Sequence, residues 1–277
     1  MNNLKNTVIL YHAECSDGFG AAWAAWKKFG QDADYIPVYH DHPLPEGLVN
    51  KDIYTLDFTF PMDLTKQLIS QNKKVTSIDH HITAKDIISL TQDYLFDNDH
   101  SGSVLAWKYF HQKPVPKILE YVEDTDLWRF KLPNSREIFS VVALYDRNFE
   151  DWNMLAEKMD DSVMFNFFVS EGDLLIKHES KLIDEIIRQN CQTVEFEGIE
   201  TFCVNATLFG SQIASVLATT KPPIGIVWSQ HKDYIKVSLR SNGFDVSKLA
   251  AKYGGGGHIR AAGFSLPLDS KLPWKII

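Results

Sequence analysis

The chain has 277 residues, 44% of them hydrophobic, and a net charge of −8, which is enough sequence for two moderate domains with separate cores. Such an acidic chain is not expected to bind long duplex DNA stably, because that requires a basic face. The three cysteines are far apart and form no C-x-x-C pair, which argues against a disulfide framework and a cysteine-rich zinc module. No apolar run has the length of a membrane span or the pattern of a signal peptide, so we expect a cytoplasmic protein that does not bind membranes.

The first part of the chain alternates predicted strands with predicted helices. Strands are predicted at TVILYH, ADYIPVYH, DIYTLDF and KVTSIDHH, and helices at residues 18–29 and 61–72. This βαβ alternation predicts a mostly parallel sheet. The segments YHAECSDG, LDFT and IDHH each place acids or histidines where a strand ends, and ligands bind beyond the carboxyl ends of such strands. The three polar clusters are therefore expected to meet at one edge of the sheet.

The rest of the chain predicts helices and then a second sheet. Residues 101–111 and 117–130 are expected to be helices, and residues 150–192 have helical periodicity. From Thr193 the pattern changes to strands, at TVEFEG, ETFCVNA, PIGIVWSQ and YIKVSLRS, with a short helix at 245–254. We predict an α/β protein with a parallel-sheet domain at residues 1–165, a helical connector at 166–192 and a smaller mixed-sheet α/β domain at 193–277.

The acids and histidines at the strand ends suit a divalent metal site. Aspartate and histidine donors favour Mn²⁺ or a similar ion over a structural zinc, which prefers four cysteine and histidine ligands. Each cluster has an ordinary alternative when taken alone: Asp57 could cap the following helix, and Asp79, His80 and His81 could form a solvated turn. Two ions held about 4 Å apart by carboxylates activate water for attack on phosphorus, so the combined pattern favours phosphoester hydrolysis.

The glycine run in YGGGGHIRAAGF is a candidate phosphate-binding segment. Backbone N–H groups of glycines can approach an anion closely, and His258 and Arg260 add donors. Arg240 ends a predicted strand and is a second candidate for contact with phosphate. A flexible linker and a surface arginine are the ordinary alternatives.

The order of these motifs resembles the DHH phosphoesterases that carry a DHH-associated C-terminal domain. The matching segments cover nearly the whole chain: Asp-Gly after the first strand, LDFT, IDHH, EDTD and, far downstream, GGGGHIRAAGF. That group includes RecJ-type exonucleases, nucleases of short oligonucleotides and phosphodiesterases of linear or cyclic dinucleotides. The resemblance implies two Mn²⁺ ions, with Mg²⁺ as the alternative, and an active site in the cleft between the two domains.

The resemblance also implies roles for individual residues. Asp57, His80 and His81 would be catalytic. The implied metal ligands are His12, Cys15, Asp17, Asp57, His80 and Asp124. The implied substrate-binding residues are His81, Arg240, Gly255, Gly256, Gly257 and His258. Asp79 would orient one of the ligands through a hydrogen bond.

One position departs from the family pattern. The family commonly has His-x-x-x-Asp-x-Asp here, whereas this chain has His12-x-x-Cys15-x-Asp17, so Cys15 stands where an acid is expected. We interpret the segment as an altered carboxylate metal site, since nothing else in the sequence suggests a cysteine nucleophile. Cys15 could bind the first ion as a thiolate, Glu14 or His40 could replace it, or the protein could hold one tight ion and one weak one.

We predict a Mn²⁺-dependent phosphodiesterase of exonuclease type that hydrolyses short oligonucleotides or linear dinucleotides to mononucleotides from a chain end. A water molecule activated near Asp57 would attack the phosphorus in line, and the cations and His81 would stabilise the growing charge. The alternatives are a phosphatase of bisphosphate nucleotides, a cyclic-dinucleotide phosphodiesterase and a non-catalytic nucleotide-binding protein that has lost its first ion. Trp128 and Phe264 could stack on bases or pack in the core, and an oligomer is compatible with the sequence.

Overall fold

The computed structural model of the protein describes residues 4–13, 15–39 and 42–277. By its internal contacts the chain forms two compact units, Met1–Ile176 and Lys177–Ile277, each with its own sheet and buried core. The boundary between the units falls within one long helix, Ser162–Asn190. The predicted domain limits at residues 165 and 192 stay predictions, whereas the predicted α/β class, with a parallel sheet and a separate mixed sheet, is confirmed.

In the first unit the strands are β1 (Thr7–His12), β2 (Ala33–Val38), β3 (Asp52–Leu56), β4 (Lys74–Asp79) and β5 (Asp93–Phe96). The helices around them are α1 (Ser16–Phe29), α2 (Met62–Gln71), α3 (Lys85–Ile88), α4 (Gly102–Phe110), α5 (Lys117–Asp126), α6 (Ser135–Val142), α7 (Phe149–Asp160) and the first part of α8 (Ser162–Asn190). Short 3-10 turns lie at Gly30–Asp32 and Ile82–Ala84.

The second unit continues from α8 into β6 (Cys191–Phe196), β7 (Ile199–Asn205), α9 (Gly210–Thr220), β8 (Ile224–Gln230), β9 (Tyr234–Ser241), α10 (Val246–Lys252), β10 (Gly256–His258), β11 (Ala261–Pro267) and β12 (Trp274–Ile276). Of the helices in the described part of the chain, none combines the length and the apolar character needed to cross a membrane. The long α8 is amphipathic rather than uniformly apolar, and it carries acids and lysines along its length.

The first unit is built on a sheet whose strands all run parallel, in the order β2-β1-β3-β4-β5. Residues 8–10 of β1 are fully buried, as expected for a strand covered on both faces. The register pairs Tyr11 with Leu56 and Leu56 with Ile78, so β1, β3 and β4 end at the same level. The polar residues that follow these strands are thereby brought together, and this part of the prediction is confirmed.

Helix α1 begins close to the end of β1 and packs against α4. Its N-cap is Cys15, whose sulfur accepts a hydrogen bond from the N–H of Gly18 at 3.1 Å. A Cβ on Gly18 would lie 2.2 Å from the carbonyl oxygen of His12, so only glycine lets the helix start this near the strand. Farther along, Trp23 stacks on Trp107 of α4 with ring centroids 5.6 Å apart, which contributes about 0.5–1.5 kcal/mol beyond the buried area. This packing fixes α1 and α4 against each other.

The second unit is built on a mixed sheet in the order β10-β11-β9-β8-β7-β6-β12. Strands β7 and β8 are parallel, and the other neighbouring pairs are antiparallel. Helix α10 packs with Ile226 and Leu239 in one cluster, whereas α9 and the end of α8 pack with Val204 and Val227 in another. Because side chains alternate between the two sides of a strand, the sheet has two apolar faces, and helices cover each of them.

The sequence analysis does not predict the helices α3, α6 and α9 or the strands β5, β10, β11 and β12. Helix α9 has the sequence GSQIASVLATT and is followed by Lys-Pro-Pro, so its Ser, Thr and β-branched residues also suit a turn-rich connection. Strand β5 is four residues long, too short to show a period. The helix predicted at 117–130 ends earlier, at Asp126, because Trp128 and Phe130 adopt left-handed backbone with φ of +53° and +49°.

The substitution Gly225→Ala tests the packing of α9 on β8. A Cβ at this position would lie 2.2 Å from the carbonyl oxygen of Ala214 and 2.6 Å from the nitrogen of Ala218, and overpacking of this kind costs about 1–3 kcal/mol. The matched control is Gly210→Ala, whose Cβ would lie 3.6 Å from Val227 and should change the free energy of unfolding by less than about 0.5 kcal/mol. Equal losses in urea denaturation of the two variants would contradict the packing described.

Candidate metal centre and substrate-binding residues

The centre of the site is the carboxylate of Asp57, the residue that follows β3. Its side chain is buried, and its backbone has a φ of +54°, a left-handed conformation that few non-glycine residues adopt. Its N–H donates to the carbonyl of Ile78 at 2.9 Å, which anchors this turn to β4. Strained backbone of this kind concentrates at functional sites.

Two groups of donors face the two oxygens of Asp57. Oδ2 lies 3.2 Å from Nδ1 of His12 and 3.5 Å from Sγ of Cys15. Oδ1 lies 3.2 Å from Nε2 of His80 and 3.9 Å from Nδ1 of His81. Oδ1 is buried but accepts no hydrogen bond of good geometry, which is costly unless a cation compensates. Asp57 thus has the geometry of a carboxylate shared between two cation positions.

Asp17 supplies a second buried carboxylate, from the first turn of α1. Its Oδ2 accepts a hydrogen bond from the N–H of Gly102 at 2.7 Å, and its Oδ1 accepts one from the N–H of Ser103 at 3.0 Å. These amides begin α4, and the N-terminus of a helix favours negative charge. A Cβ on Gly102 would lie 2.5 Å from the Cβ of Asp57, so glycine lets the start of α4 approach both carboxylates.

His80 connects Asp17 with Asp126. Its Nε2 lies 3.8 Å from Oδ2 of Asp17 and 3.7 Å from Oδ2 of Asp126, whose side chain is 30% exposed. Among the described residues, three groups have ligand atoms within 4.8 Å of one another: His12, Cys15 and Asp57; Asp57, His80 and His81; and Asp17, His80 and Asp126. Nitrogen, oxygen and sulfur donors in this arrangement fit divalent transition-metal ions.

The structure places Asp126 in this cluster, not Asp124. The carboxylate of Asp124 accepts hydrogen bonds from the N–H groups of Lys131 at 2.9 Å and Leu132 at 3.1 Å, so it organises the loop after α5. Positions two apart on a helix point about 200° from each other, which is why only one of the two can face β4. The predicted ligand Asp124 therefore stays a prediction, and the structure adds Asp126, the second acid of the EDTD segment, as a candidate.

The close spacing of the acids shifts the pKa values of residues in the cluster. Burial, together with the charge of Asp57, raises the pKa of Asp17 to about 6. Burial also raises the pKa of Asp126, and the neighbouring carboxylates raise it further. Burial opposes protonation of His80, but the adjacent carboxylate of Asp57 and the surrounding acids raise its pKa to about 9. This pattern shows an excess of negative charge, which a divalent cation would neutralise.

Asp79 holds the histidine pair that follows β4. Its Oδ1 accepts hydrogen bonds from the N–H groups of His80 at 2.7 Å and His81 at 3.0 Å, and it lies 2.7 Å from Nδ1 of His81. Its Oδ2 accepts a hydrogen bond from the hydroxyl of Thr59 at 2.6 Å. The buried aspartate thus sets the orientation of the His81 ring, as expected for a residue that orients a ligand through a hydrogen bond.

In the second unit, Arg240 ends β9 in a defined setting. It donates from Nη2 to the hydroxyl of Ser211 at 2.6 Å and from Nη1 to the carbonyl of Leu239 at 3.0 Å. Burial lowers the pKa of its guanidinium, yet an arginine remains charged near neutral pH. A half-buried, oriented arginine of this kind suits a phosphate group.

The glycine run forms β10 and its turn, and two of its glycines are required by packing. A Cβ on Gly255 would lie 2.1 Å from the carbonyl of Gly263, and one on Gly257 would lie 2.5 Å from that of Ala261. A Cβ on Gly256 would meet no atom within 4 Å, and both Gly256 and His258 are exposed. The exposed backbone of this segment remains the candidate for anion contact.

The remaining candidates are the two aromatic residues proposed to stack on bases and the residues proposed for the first ion. Phe264 is buried and stacks on Tyr253 with ring centroids 4.5 Å apart, so it packs in the core, whereas Trp128 is 48% exposed. Burial and nearby carboxylates raise the pKa of the Cys15 thiol, which disfavours a cysteine nucleophile. Glu14 and His40, the other candidates for the first ion, lie outside the described residues.

Comparison with known proteins identifies a C-terminal domain and relatives of this chain. Residues 210–273 match the DHHA1 domain. The chain is 29% identical to the uncharacterized protein R106 of Acanthamoeba polyphaga mimivirus, over 93% of this chain and 67% of the relative. It is 23% identical to the oligoribonuclease NrnB of Bacillus subtilis (strain 168), over 93% of this chain and 72% of the relative.

A solved structure shares the fold. The pGpG-specific phosphodiesterase PggH of Vibrio cholerae superposes with a TM-score of 0.52 at 13% identity, over 96% of this chain and 94% of its own. The resemblance inferred from the motif order is therefore confirmed by a C-terminal domain match, by relatives along nearly the whole chain and by the fold. Residues 210–273 therefore form a DHHA1 domain, and the chain is related to the NrnA and NrnB oligoribonucleases, as the order of its DHH-type motifs indicates.

Proposed function

We propose that the protein is a cation-dependent phosphodiesterase that hydrolyses short oligonucleotides or linear dinucleotides to mononucleotides from a chain end. The observation that carries this proposal is the Asp57 carboxylate, whose two oxygens face separate groups of metal-binding side chains in a DHH-family chain. The names of NrnB as an oligoribonuclease and of PggH as a pGpG-specific phosphodiesterase support a short substrate. The net charge of −8 also favours a small nucleotide over a long polyanion.

We assign one cation position to His12, Cys15 and Asp57, and the other to Asp17, Asp57, His80 and Asp126. The fit rests on the orphaned, buried Oδ1 of Asp57 and on the crowded carboxylates. Oxygen and nitrogen donors at the second position suit Mn²⁺. Bound cations would lower the pKa of a water molecule and withdraw charge from the phosphoryl oxygens.

His81 is the residue we assign to contact with the phosphoryl group. Its side chain is 34% exposed, and its Nδ1 is held 2.7 Å from Asp79. Burial lowers the pKa of His81, but the hydrogen bond with Asp79 and the charge of Asp57 outweigh this, so its pKa is raised overall. A ring oriented through Nδ1 presents Nε2 as its second donor, which would stabilise negative charge growing on a phosphoryl oxygen.

The DHHA1 domain would hold the end of the substrate. We assign the terminal phosphate to Arg240, oriented by Ser211, and to the exposed backbone at Gly256 with His258. Binding of a terminal phosphate favours cleavage near that end of the substrate. Only substrates with a phosphate at this position gain the binding energy. Gly255 and Gly257 support the segment through packing.

A product assay tests the proposed reaction. A 5′-phosphorylated dinucleotide and a longer RNA are each incubated with Mn²⁺, with Mg²⁺ and with chelator, and the products are separated by chromatography. We expect cation-dependent release of mononucleotides, faster from the dinucleotide, and a loss of at least about 100-fold in Asp57→Asn, because the shared ligand is gone. Release of free phosphate from a nucleoside 3′,5′-bisphosphate, or opening of a cyclic dinucleotide, in place of mononucleotide release would establish one of the alternative substrates.

The pair Asp126→Asn and Asp124→Asn tests which acid of the EDTD segment is a ligand. Asp126→Asn should lower kcat/KM by at least about 100-fold without lowering the stability of the metal-free protein, because it removes charge from a crowded cluster. Asp124→Asn should instead lower the free energy of unfolding by about 1–3 kcal/mol, because two loop amides lose a charged acceptor. Mn²⁺ titration and urea denaturation of both variants distinguish the two roles. Loss of Mn²⁺ binding in Asp124→Asn alone would return the ligand assignment to Asp124.

A further inference from the structure

We propose that Cys15 makes the two cation positions chemically different, so that the position at His12, Cys15 and Asp57 selects a thiophilic ion such as Zn²⁺ or Co²⁺. The position at Asp17, His80 and Asp126 would take Mn²⁺ or Mg²⁺. This inference rests on the proposed two-cation function and adds the identity of the ions. Its basis is the difference in donors: one position offers nitrogen, sulfur and oxygen, and the other offers nitrogen and oxygen.

The three donors around Cys15 are spaced as the ligands of one tetrahedral ion would be. Sγ of Cys15 lies 3.4 Å from Nδ1 of His12 and 3.5 Å from Oδ2 of Asp57, and Nδ1 lies 3.2 Å from the same Oδ2. Bond lengths of about 2.0–2.3 Å to tetrahedral Zn²⁺ imply ligand atoms roughly 3.3–3.7 Å apart. The donors therefore form a triangle close to one face of such a tetrahedron.

Two further observations concern the ligands of this triangle. The other oxygen of Asp57 faces His80 and is buried without a hydrogen-bond partner, so the carboxylate as a whole is not satisfied by protein groups alone. Sγ of Cys15 accepts the N–H of Gly18 at 3.1 Å and caps the 14-residue helix α1. The sulfur is thus held in place between a helix amide and the carboxylate of Asp57.

The chemistry of sulfur gives the selectivity. Thiolate ligands favour Zn²⁺ and similar ions, whereas carboxylate ligands suit Mg²⁺ and Mn²⁺. An aspartate at the same place, as in the family pattern, would supply oxygen and make the two positions alike. The substitution of cysteine for an acid therefore changes which ion the first position prefers while keeping a ligand there.

The other cysteines do not interfere with a test of this idea. Cys203 is buried in the core of the second unit and Cys191 is half-buried on β6. Neither belongs to a group of metal-binding side chains in the described part of the chain. A sulfur-to-metal absorption signal would therefore report on Cys15, and Cys191→Ser is the matched control.

The experiment is cobalt loading of the metal-free, full-length protein. Bound Co²⁺ is counted by equilibrium dialysis, and the near-ultraviolet spectrum reports sulfur-to-cobalt charge transfer. We expect the charge-transfer band in the wild type and in Cys191→Ser, saturating at one Co²⁺ per chain, and its loss in Cys15→Ser and Cys15→Asp. The affinity for Zn²⁺ should fall about 10-fold or more in Cys15→Asp, while Mn²⁺ binding is retained.

The outcomes separate this inference from the function on which it rests. Binding of two Co²⁺ ions without the band in the wild type, or a band that survives in Cys15→Ser, overturns the inference, and Mn²⁺-dependent hydrolysis would then still stand. A wild type that binds neither Co²⁺ nor Mn²⁺ overturns both. Circular dichroism checks that each variant folds, and Cys15→Asp keeps the test decisive if Cys15→Ser does not fold.

Discussion

The accumulation of negative charge at one edge of the parallel sheet is the constraint on which the rest of the first unit depends. Asp17 and Asp57 are buried, and Asp126 adjoins them through His80. Carboxylates this close repel one another strongly because burial weakens the screening by water. The protein offsets the repulsion in two visible ways, through the amides that begin α4 and through His12 and His80. A pair of divalent cations is the partner that we propose for the remaining charge.

The local backbone is shaped to permit this crowding. Asp57 adopts a left-handed conformation, which costs a non-glycine residue on the order of 1–3 kcal/mol at such sites. Gly18 and Gly102 bring the first turns of α1 and α4 closer than any side chain would allow. The strained backbone and the two close approaches therefore bring the proposed ligands together.

Much of the site can be predicted from the sequence, because the ends of the strands can be recognised from the apolar runs. The apolar runs before His12, Asp57 and Asp79 predict parallel strands, and parallel strands bring their carboxyl ends to one edge. The choice between Asp124 and Asp126 was beyond the sequence, since it depends on where α5 ends and on the phase of its last turn. The approach of α4 to Asp17 was equally beyond it, because that contact joins residues 85 positions apart through tertiary packing. The sequence SGS predicts the start of a helix, but it does not predict that the first amides of this helix bind the carboxylate of Asp17.

The central claim is that Asp57 is shared between two cations. Anomalous diffraction from crystals grown with both Mn²⁺ and Zn²⁺ tests it most directly, because each bound ion gives its own peak. We predict two peaks on either side of the Asp57 carboxylate, one beside His12 and Cys15 and one beside Asp17, His80 and Asp126. A single peak with Asp57 bound through one oxygen, or peaks that avoid Asp57, would contradict it.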